Sequence, residues 1–240
     1  MRIDPLDGIE LVVFDKDGTL IEFHRMWRGW VHDLATQLEA ATGLPLEALL
    51  CAVMGVDPVS GEIAPHGLLA ATPMSRIRAV VVAALVEEGL EPAAAERAMR
   101  RAWHAPDPVA LARPTTDLRR LFDGLAERGI RAAVATSDDR VPTERTLAAL
   151  GIAPDIAAIA CADDGHPVKP APDPVLRIAA RLRVAPDRIT VVGDAPADMR
   201  MGRTAGARCL VGVLTGVGDE ATLGPLADVL LPSIEGLIPA

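Results

Sequence analysis

The sequence has no tyrosine, three cysteines and only two lysines among its 240 residues. The cysteines are Cys51, Cys161 and Cys209; this scattered, odd set indicates neither a disulfide framework nor a zinc site, and we expect all three to be buried as small apolar residues. The best apolar run, residues 79–86, is far too short to cross a membrane. The first residues also lack the apolar run of a signal peptide. We therefore predict a cytoplasmic protein with no membrane partner.

Positive charge is scarce as well. The formal net charge is -9, whereas proteins that bind nucleic acids usually carry a basic patch, so we expect no nucleic-acid partner. Half of the residues are apolar and 24% are charged, which is ordinary for a globular protein. A chain of this length can form one domain or two. The composition leaves the oligomeric state open between a monomer and a homodimer.

The periodic patterns divide the chain into two parts. Residues 22–112 contain helical patterns throughout, whereas an apolar run at residues 9–14 and the region after Pro114 alternate strand with helix, which predicts a parallel sheet covered on both faces. We predict an α/β fold: a Rossmann-like, doubly wound core domain of residues 1–21 and 113–240, with an inserted all-helical cap domain of residues 22–112. The predicted strands are 9–14, 130–135, 156–160, 188–192, 208–213 and 227–231. We predict a helix over 116–128 with Thr115 or Thr116 as its N-cap.

Polar residues follow three of the predicted strands. Asp15 and Asp17 come directly after the first strand, Thr136 and Ser137 after the second, and Asp194 after the fourth. The carboxyl ends of parallel strands share one edge of a sheet, and that edge is where open α/β sheets bind their ligands. We therefore expect these five residues to surround one site.

The acidic residues of this group indicate a metal site. Two carboxylates about 4 Å apart repel each other by roughly 4 kcal/mol at an effective dielectric constant near 20, and a hard divalent cation with oxygen ligands offsets that repulsion. Asp15, Asp17 and Asp194, with Asp198 one helical turn later, would form such a site. No thiolate and no histidine stands at ligand spacing, so the pattern favours Mg²⁺ over zinc.

A metal in this position would attract a phosphate group. Asp15 is then placed as a nucleophile that forms an aspartyl-phosphate. Asp17 is placed to protonate the leaving alcohol and later to accept a proton from the attacking water. The Thr136 hydroxyl and the Ser137 backbone N–H could donate to the phosphoryl oxygens, and Lys169 would supply positive charge in the transition state.

Four segments carry a resemblance to a known family. Together they resemble, in order, the four motifs of the haloacid dehalogenase superfamily: Asp15-Lys-Asp-Gly-Thr19, Val134-Ala-Thr136-Ser, Lys169-Pro-Ala-Pro-Asp173 and Gly193-Asp194-Ala-Pro-Ala-Asp198. The helical insertion is similar to the cap of the first subfamily, and the segments 162–173 and 227–237 look most like phosphoglycolate phosphatases. The resemblance implies a magnesium-dependent phosphatase of small phosphorylated metabolites. It also implies a metal held by Asp15, the backbone carbonyl of Asp17 and Asp194.

The chain departs from the family pattern at Lys16, where phosphoglycolate phosphatases commonly have leucine. Alternation along a strand predicts that this side chain points away from the metal, which favours a structural or gating role. The family's true dehalogenases lack the second aspartate, so Asp17 favours phosphate chemistry. A sugar-phosphate phosphomutase and a non-catalytic binding or regulatory protein of the same fold remain the alternatives. A regulatory protein would be expected to have lost Asp15 or Asp17.

Several roles stay open at this level. Asp198 either contacts the metal through water, orients Lys169 or only interacts with the helix dipole. Asp163 and Asp164 either brace Lys169 or are ordinary polar residues of a loop. In the cap, His66 lies in a loop rich in Gly and Pro and is our candidate for a substrate contact. The three tryptophans, Trp27, Trp30 and Trp103, lie at helical spacing with other apolar residues and are expected to pack in the cap's core.

Overall fold

The structure is a computed structural model that describes residues 4–64, 67–72, 74–104 and 112–237, without the side chains of residues 25, 26, 70, 71 and 75. The chain divides into two compact units, residues 1–23 with 108–240 and residues 24–107. Over the described ranges we find no helix with both the length and the apolar character needed to span a membrane.

The first unit is built on a parallel sheet. Its six strands within the described residues lie in the order β3-β2-β1-β4-β5-β6, and each neighbouring pair is parallel. The central strand β1 therefore lies between β2 and β4. The α/β fold and all six predicted strands are confirmed, most with slightly shorter bounds: β1 Leu11–Phe14, β2 Arg131–Ala135, β3 Ile156–Ala160, β4 Ile189–Gly193, β5 Cys209–Val213 and β6 Val229–Leu231.

Helices occupy both units. Those that begin before residue 104 are α1 Phe23–Thr42, α2 Glu47–Met54, α3 Leu68–Ala71, α4 Met74–Glu87 and α5 Pro92–Ala102. Those between or after the later strands are α6 Leu118–Glu127, α7 Arg140–Ala149, α8 Asp173–Leu182, α9 Pro196–Ala205 and α10 Glu220–Leu223. Short 3₁₀ helices cover Ala153–Asp155, Pro186–Arg188 and Ile234–Leu237.

Alternate residues of the strands pack against helices on opposite faces of the sheet. Val12 and Phe14 face a cluster that contains Phe122 of α6, and the Phe14 and Phe122 rings meet edge to face with centroids 5.9 Å apart. Leu11 and Val13 face the other cluster, with residues of α8 and α9. All four residues of β1 are fully buried. This two-sided burial explains the continuous apolar run in the sequence and confirms the doubly wound arrangement.

The start of α6 differs from the prediction. Its N-cap is Asp117, whose side chain accepts a hydrogen bond from the Arg120 N–H, and not Thr115 or Thr116. The Thr115 hydroxyl instead donates to the Thr19 carbonyl at 2.6 Å. A carboxylate is as good an N-cap as a threonine hydroxyl, so a sequence with three adjacent cap-forming residues does not by itself distinguish among them.

The helical unit has its own apolar core. Trp27 and Trp30 of α1 are buried, and the Trp30 ring makes edge-to-face contacts with Trp27 and Trp103, with centroids 5.5 and 5.4 Å apart. The Trp30 indole N–H donates to the His104 carbonyl at 2.8 Å. The prediction that the tryptophans pack in this core is confirmed. The three cysteines are likewise free and buried, as expected.

Candidate active site

The predicted site residues follow adjacent strands. Asp15 comes directly after β1, Thr136 after β2 and Asp194 after β4. The Asp15 N–H donates to the Val192 carbonyl at 2.8 Å, which continues the β1–β4 ladder by one residue, and the Thr136 N–H donates to Ala160 at 3.0 Å. The sheet therefore fixes the backbone at the points from which these side chains leave.

Three carboxylates converge at this edge. One oxygen each of Asp15, Asp194 and Asp198 lies within 4.8 Å of the others, and Asp194 and Asp198 are almost completely buried. Burial raises the pKa of Asp194 well above its ordinary value, and the charges on Asp15 and Asp198 raise it further. Burial, reinforced by Asp198, also raises the pKa of Asp15, although Lys169 opposes the shift. The protein therefore holds these charges close together at an electrostatic cost.

Asp194 is held by neutral donors. Its Oδ1 accepts from the Thr19 hydroxyl at 3.1 Å and its Oδ2 from the Val217 N–H at 2.9 Å. Gly18, with φ of 85°, and Gly216 pass so close to this carboxylate that a Cβ at either residue would collide with it. Within the residues that the structure describes, no cationic side chain pairs with Asp194.

Lys169 is an ammonium shared by two carboxylates. Its Nζ lies 2.5 Å from Asp15 Oδ1 and 2.6 Å from Asp198 Oδ1. Burial alone would lower the pKa of Lys169, but Asp15 and Asp198 outweigh that effect and raise it, so the ammonium stays protonated. Asp198 Oδ2 also accepts from the Ala195 N–H at 3.1 Å, at the start of α9. Of the roles left open for Asp198, the contacts support the orientation of Lys169.

We predict that Lys16 points away from the metal, and its ammonium lies beside Asp17 and Asp138, which are outside the group of Asp15, Asp194 and Asp198. Its Nζ lies 2.8 Å from Asp17 Oδ1 and 2.7 Å from Asp17 Oδ2, and 3.3 Å from Asp138 Oδ2. Regular alternation ends with the strand at Phe14, and Lys16 lies in the turn that follows, so alternation does not separate its side chain from that of Asp17. The Asp17 carboxylate is thereby paired with Lys16, while the group formed by Asp15, Asp194 and Asp198 does not include it.

Two of the residues predicted to bind the phosphate, Thr136 and Ser137, directly follow β2. Thr136 is buried, and its Oγ1 accepts from the Asp138 N–H at 3.1 Å; a hydroxyl that accepts this bond can still donate its own hydrogen. Ser137 is half-buried in the same turn. His66 lies outside the described residues, so the predicted substrate contact in the cap stays a prediction.

The donor set fits a hard divalent cation. Its carboxylate oxygens come from the half-buried Asp15 and the buried Asp194 and Asp198. Asp194 has no charged partner among the described side chains, and sulfur and nitrogen ligands are absent from the group. Ligand sets made only of oxygen suit Mg²⁺, Ca²⁺ or Mn²⁺. A cation would offset the repulsion by which Asp15 and Asp198 add to the effect of burial on the pKa of Asp194.

Asp163 and Asp164 prove to be loop residues that bind Arg140. The Arg140 guanidinium donates to Asp164 from Nε at 3.0 Å and from Nη2 at 2.8 and 2.7 Å, and Asp163 Oδ1 accepts from the Arg140 N–H at 2.9 Å. Asp164 also accepts from the Cys161 N–H at 2.9 Å. The two aspartates therefore tie the loop after β3 to the start of α7.

Sequence reasoning missed the residues that hold the acidic group in place. Thr19 and the loop around Val217 bind Asp194, and the Thr215 hydroxyl donates to the Gly18 carbonyl at 2.5 Å. Asp138 was visible in the sequence as the residue after Thr136-Ser137. A buried lysine needs a carboxylate partner. Looking for a partner of Lys16 could therefore have identified Asp138.

The parallel sheet and the acidic group at the carboxyl ends of β1 and β4 define the class of α/β hydrolases that carry an aspartate after the first strand. The sequence matches the haloacid dehalogenase-like hydrolases over residues 9–206, and the chain belongs to this family. Its relatives include the phosphoglycolate phosphatase of Rhodospirillum rubrum, 32% identical over 90% of this chain and 85% of that protein. The phosphoglycolate phosphatase of Escherichia coli K12 is 28% identical over 99% of this chain and 94% of its own length.

Solved structures show the same fold. A Haemophilus somnus protein predicted to be a phosphoglycolate phosphatase superposes with a TM-score of 0.65 at 19% identity, covering 94% of this chain and 95% of its own. A Thermotoga maritima protein described as a β-phosphoglucomutase superposes with a TM-score of 0.67 at 20% identity, covering 96% and 97%. The sequence match over residues 9–206 and the curated relatives confirm the family expected from the four motifs, and with it the assignment as a hydrolase.

Proposed function

We propose that this protein is a magnesium-dependent phosphatase that hydrolyses a small phosphomonoester through an aspartyl-phosphate on Asp15. The observation that carries the proposal is the pairing of Asp15 with Lys169 at 2.5 Å beside two further buried carboxylates. A carboxylate that is fixed by the sheet and flanked by an ammonium is positioned to attack a phosphorus atom whose charge the ammonium offsets.

The reaction divides into two displacements. In the first, Asp15 attacks phosphorus, the ester P–O bond breaks, and Asp17 donates a proton to the departing alcohol oxygen. In the second, water attacks the phosphorus of the aspartyl-phosphate, Asp17 takes a proton from that water, and the Asp15 carboxylate is released with inorganic phosphate. Lys169, the Thr136 hydroxyl and the Ser137 N–H bind the phosphoryl oxygens throughout.

We assign the metal to the carboxylates of Asp15 and Asp194 with the backbone carbonyl of Asp17, and we place Asp198 next to it. Bound Mg²⁺ would neutralise charge on the phosphoryl group and hold it in line with the nucleophile. Thr19, Val217 and the close approach of Gly216 keep the Asp194 carboxylate directed at this position.

Phosphoglycolate is our leading substrate, because two relatives that align over most of this chain bear the name phosphoglycolate phosphatase. Three buried free cysteines are typical of a reducing compartment, so we place the enzyme in the cytoplasm. We keep the division into a core of residues 1–21 and 113–240 and a cap of residues 22–112 as part of the proposal. The presence of both Asp15 and Asp17 argues against a non-catalytic protein.

The test is phosphate release from a panel of monoesters that includes phosphoglycolate and sugar phosphates, with and without Mg²⁺. Wild-type protein should release inorganic phosphate only with the metal. Asp15→Asn should keep its fold and lose at least about a thousandfold in turnover, while Asp187→Asn, an exposed carboxylate in a 3₁₀ helix, should not change it. An isomerised sugar phosphate without phosphate release would instead show a phosphomutase, and an active Asp15→Asn would remove Asp15 as the nucleophile.

A further inference from the structure

The side chains of both lysines of this chain are largely covered at the same edge of the sheet, but they contact different carboxylates. Lys169 pairs with Asp15 and Asp198, whereas Lys16 pairs with Asp17 and Asp138. The Lys16 side chain is only 2% exposed, and its ammonium contacts both oxygens of Asp17. Lys16 is therefore not another phosphate ligand in this arrangement. Its ammonium is paired with Asp17, the residue that we propose as the general acid and base.

Asp138, the other partner of Lys16, is itself firmly held. Its Oδ1 accepts from the Asp139 N–H at 3.0 Å, its carbonyl accepts from the Ala162 N–H at 2.9 Å, and its own N–H donates to Thr136 Oγ1. These bonds join it to the ends of β2 and β3. A carboxylate fixed in this way gives Lys16 an anchor that does not move with Asp17.

The ion pairs of Lys16 with Asp17 and Asp138 are not explained by a gain in the stability of the fold. Removing a charge from water costs several kcal/mol per ion, and replacing a buried ion pair by apolar residues is often neutral or stabilising. What a buried, doubly paired lysine provides is a fixed orientation of its partner. A catalytic acid has to be held within about 0.5 Å and 10–20° of its productive geometry by neighbours that are themselves fixed.

We propose that Lys16 is a positioning residue that holds the Asp17 carboxylate in the orientation needed for proton transfer, with Asp138 as its anchor. The inference deepens the proposed function and rests on the role of Asp17 in it. Lys16 acts here through Asp17 and not by contact with the substrate.

The nature of the leaving group gives a direct test. An alkyl alcohol needs a proton from Asp17 as it departs, whereas a nitrophenolate leaves without one, and kcat/KM reports only the steps up to the aspartyl-phosphate. Lys16→Met should lower kcat/KM for phosphoglycolate by about ten- to a hundredfold, since a general acid contributes about 10²–10⁴-fold. For p-nitrophenyl phosphate the loss should stay below about threefold. Equal losses for both esters would overturn the proposal.

A double-mutant comparison separates positioning from direct electrostatics on the phosphate. In an Asp17→Asn background, adding Lys16→Met should leave kcat/KM for p-nitrophenyl phosphate unchanged, because the residue through which Lys16 acts is already gone. A further loss in that background would show that Lys16 acts on the phosphoryl group itself and would overturn the positioning role.

A substitution of Asp138 gives a second test, in which Lys16 itself is unchanged. Asp138→Asn should cause a smaller loss than Lys16→Met, again selective for the alkyl ester, while its neighbour Asp139→Asn, an exposed carboxylate, should change neither ester. Thermal unfolding of each variant is measured in parallel; a lowered Tm with unchanged selectivity between the two esters would assign Lys16 a structural role and overturn the proposal. Failure of the proposed function is distinguishable, because the wild-type protein would then release phosphate from neither ester.

Discussion

Gly216 and Asp194 approach so closely that no side chain fits between them. A Cβ built at residue 216 would overlap the Asp194 carboxylate, and the next residue, Val217, donates its N–H to that carboxylate at 2.9 Å. The loop after β5 therefore packs directly against the Asp194 carboxylate. Because Asp194 has no charged partner among the described residues, its position depends on the loop after β5 and on the hydroxyl of Thr19.

Gly216→Ala should therefore displace Asp194 and weaken the binding of Mg²⁺. We expect at least a tenfold rise in the Mg²⁺ concentration needed for half-maximal activity, since perturbing the residues that hold a metal ligand typically costs about 10–100-fold in affinity. Gly124→Ala is the matched control, because a Cβ at Gly124 of α6 meets nothing within 4 Å. A variant at residue 216 with wild-type Mg²⁺ dependence would show that the loop does not position Asp194.

Asp194→Asn should stabilise the metal-free protein while abolishing its response to Mg²⁺. Two carboxylates about 4 Å apart repel by roughly 4 kcal/mol at an effective dielectric constant near 20, and the amide removes that repulsion from Asp15 and Asp198. The amide can still accept from the Val217 N–H and donate to the Thr19 hydroxyl, whose role can reverse.

The measurement is thermal unfolding with and without Mg²⁺. Without the metal, the Tm of Asp194→Asn should lie at least about 2 °C above wild type, the shift expected from ~1 kcal/mol in a chain of this size. With Mg²⁺ at a hundred times its Kd, wild type should gain about 2.7 kcal/mol and the variant nothing, whereas Asp187→Asn should behave like wild type. A metal-free variant less stable than wild type would contradict the idea that Asp194 is held at an electrostatic cost.

The core fold was predictable because each central strand is buried on both faces. The run 9–14 contains a strand, Leu11–Phe14, in which every residue is inaccessible to water, so a short apolar segment could not be mistaken for an amphipathic helix. The position of Asp15, Thr136 and Asp194 at one edge followed from the parallel order of β2, β1 and β4. Periodicity thus suffices for the architecture and for placing Asp15 and Asp194 at one edge of the sheet, but not for the exact members of the acidic group, which does not include the Asp17 carboxylate.

What the sequence could not supply are contacts that depend on turns. Lys16 reaches Asp17 because regular strand geometry ends before it, and a rule based on alternation fails at that point. The bond between Thr19 and Asp194 spans 175 residues, and no local pattern encodes it. The N-cap at Asp117 instead of the neighbouring threonines is a choice among chemically equivalent residues, which tertiary contacts of Thr115 decide.

Arg140→Ala should destabilise the core without changing its chemistry. Its guanidinium binds Asp164 through two nitrogens and also donates to the Ile159 carbonyl at 3.2 Å, but it is about a third exposed, with 35% of its side chain accessible. We therefore expect a loss of only about 1 kcal/mol in the free energy of unfolding. Urea denaturation measures it, and Arg145→Ala on the same helix, an exposed arginine with no ion pair in the described structure, should cost less than about 0.5 kcal/mol. A changed kcat for Arg140→Ala would contradict a purely structural role.

Replacing Trp30 should lower the stability of the helical unit more than replacing its neighbour Trp103. The Trp30 ring is fully buried between Trp27 and Trp103, and its N–H satisfies the His104 carbonyl. Trp30→Phe keeps most of the packing and loses that bond, which costs about 1–3 kcal/mol when an acceptor is left unsatisfied. Trp30→Ala also opens a cavity and should cost about 3–5 kcal/mol.

Urea unfolding followed by far-ultraviolet circular dichroism tests this prediction, with Trp103→Phe as the control, since Trp103 is only half-buried. Because the chain consists of two compact units, a second transition can separate from the first when one unit is weakened. With Trp30→Ala we expect the helical unit to unfold at lower urea, while the transition of the core sheet stays at its wild-type midpoint. A single transition shifted as a whole would show that the two units unfold cooperatively, and an unshifted curve would contradict the role of Trp30 in the core of the helical unit.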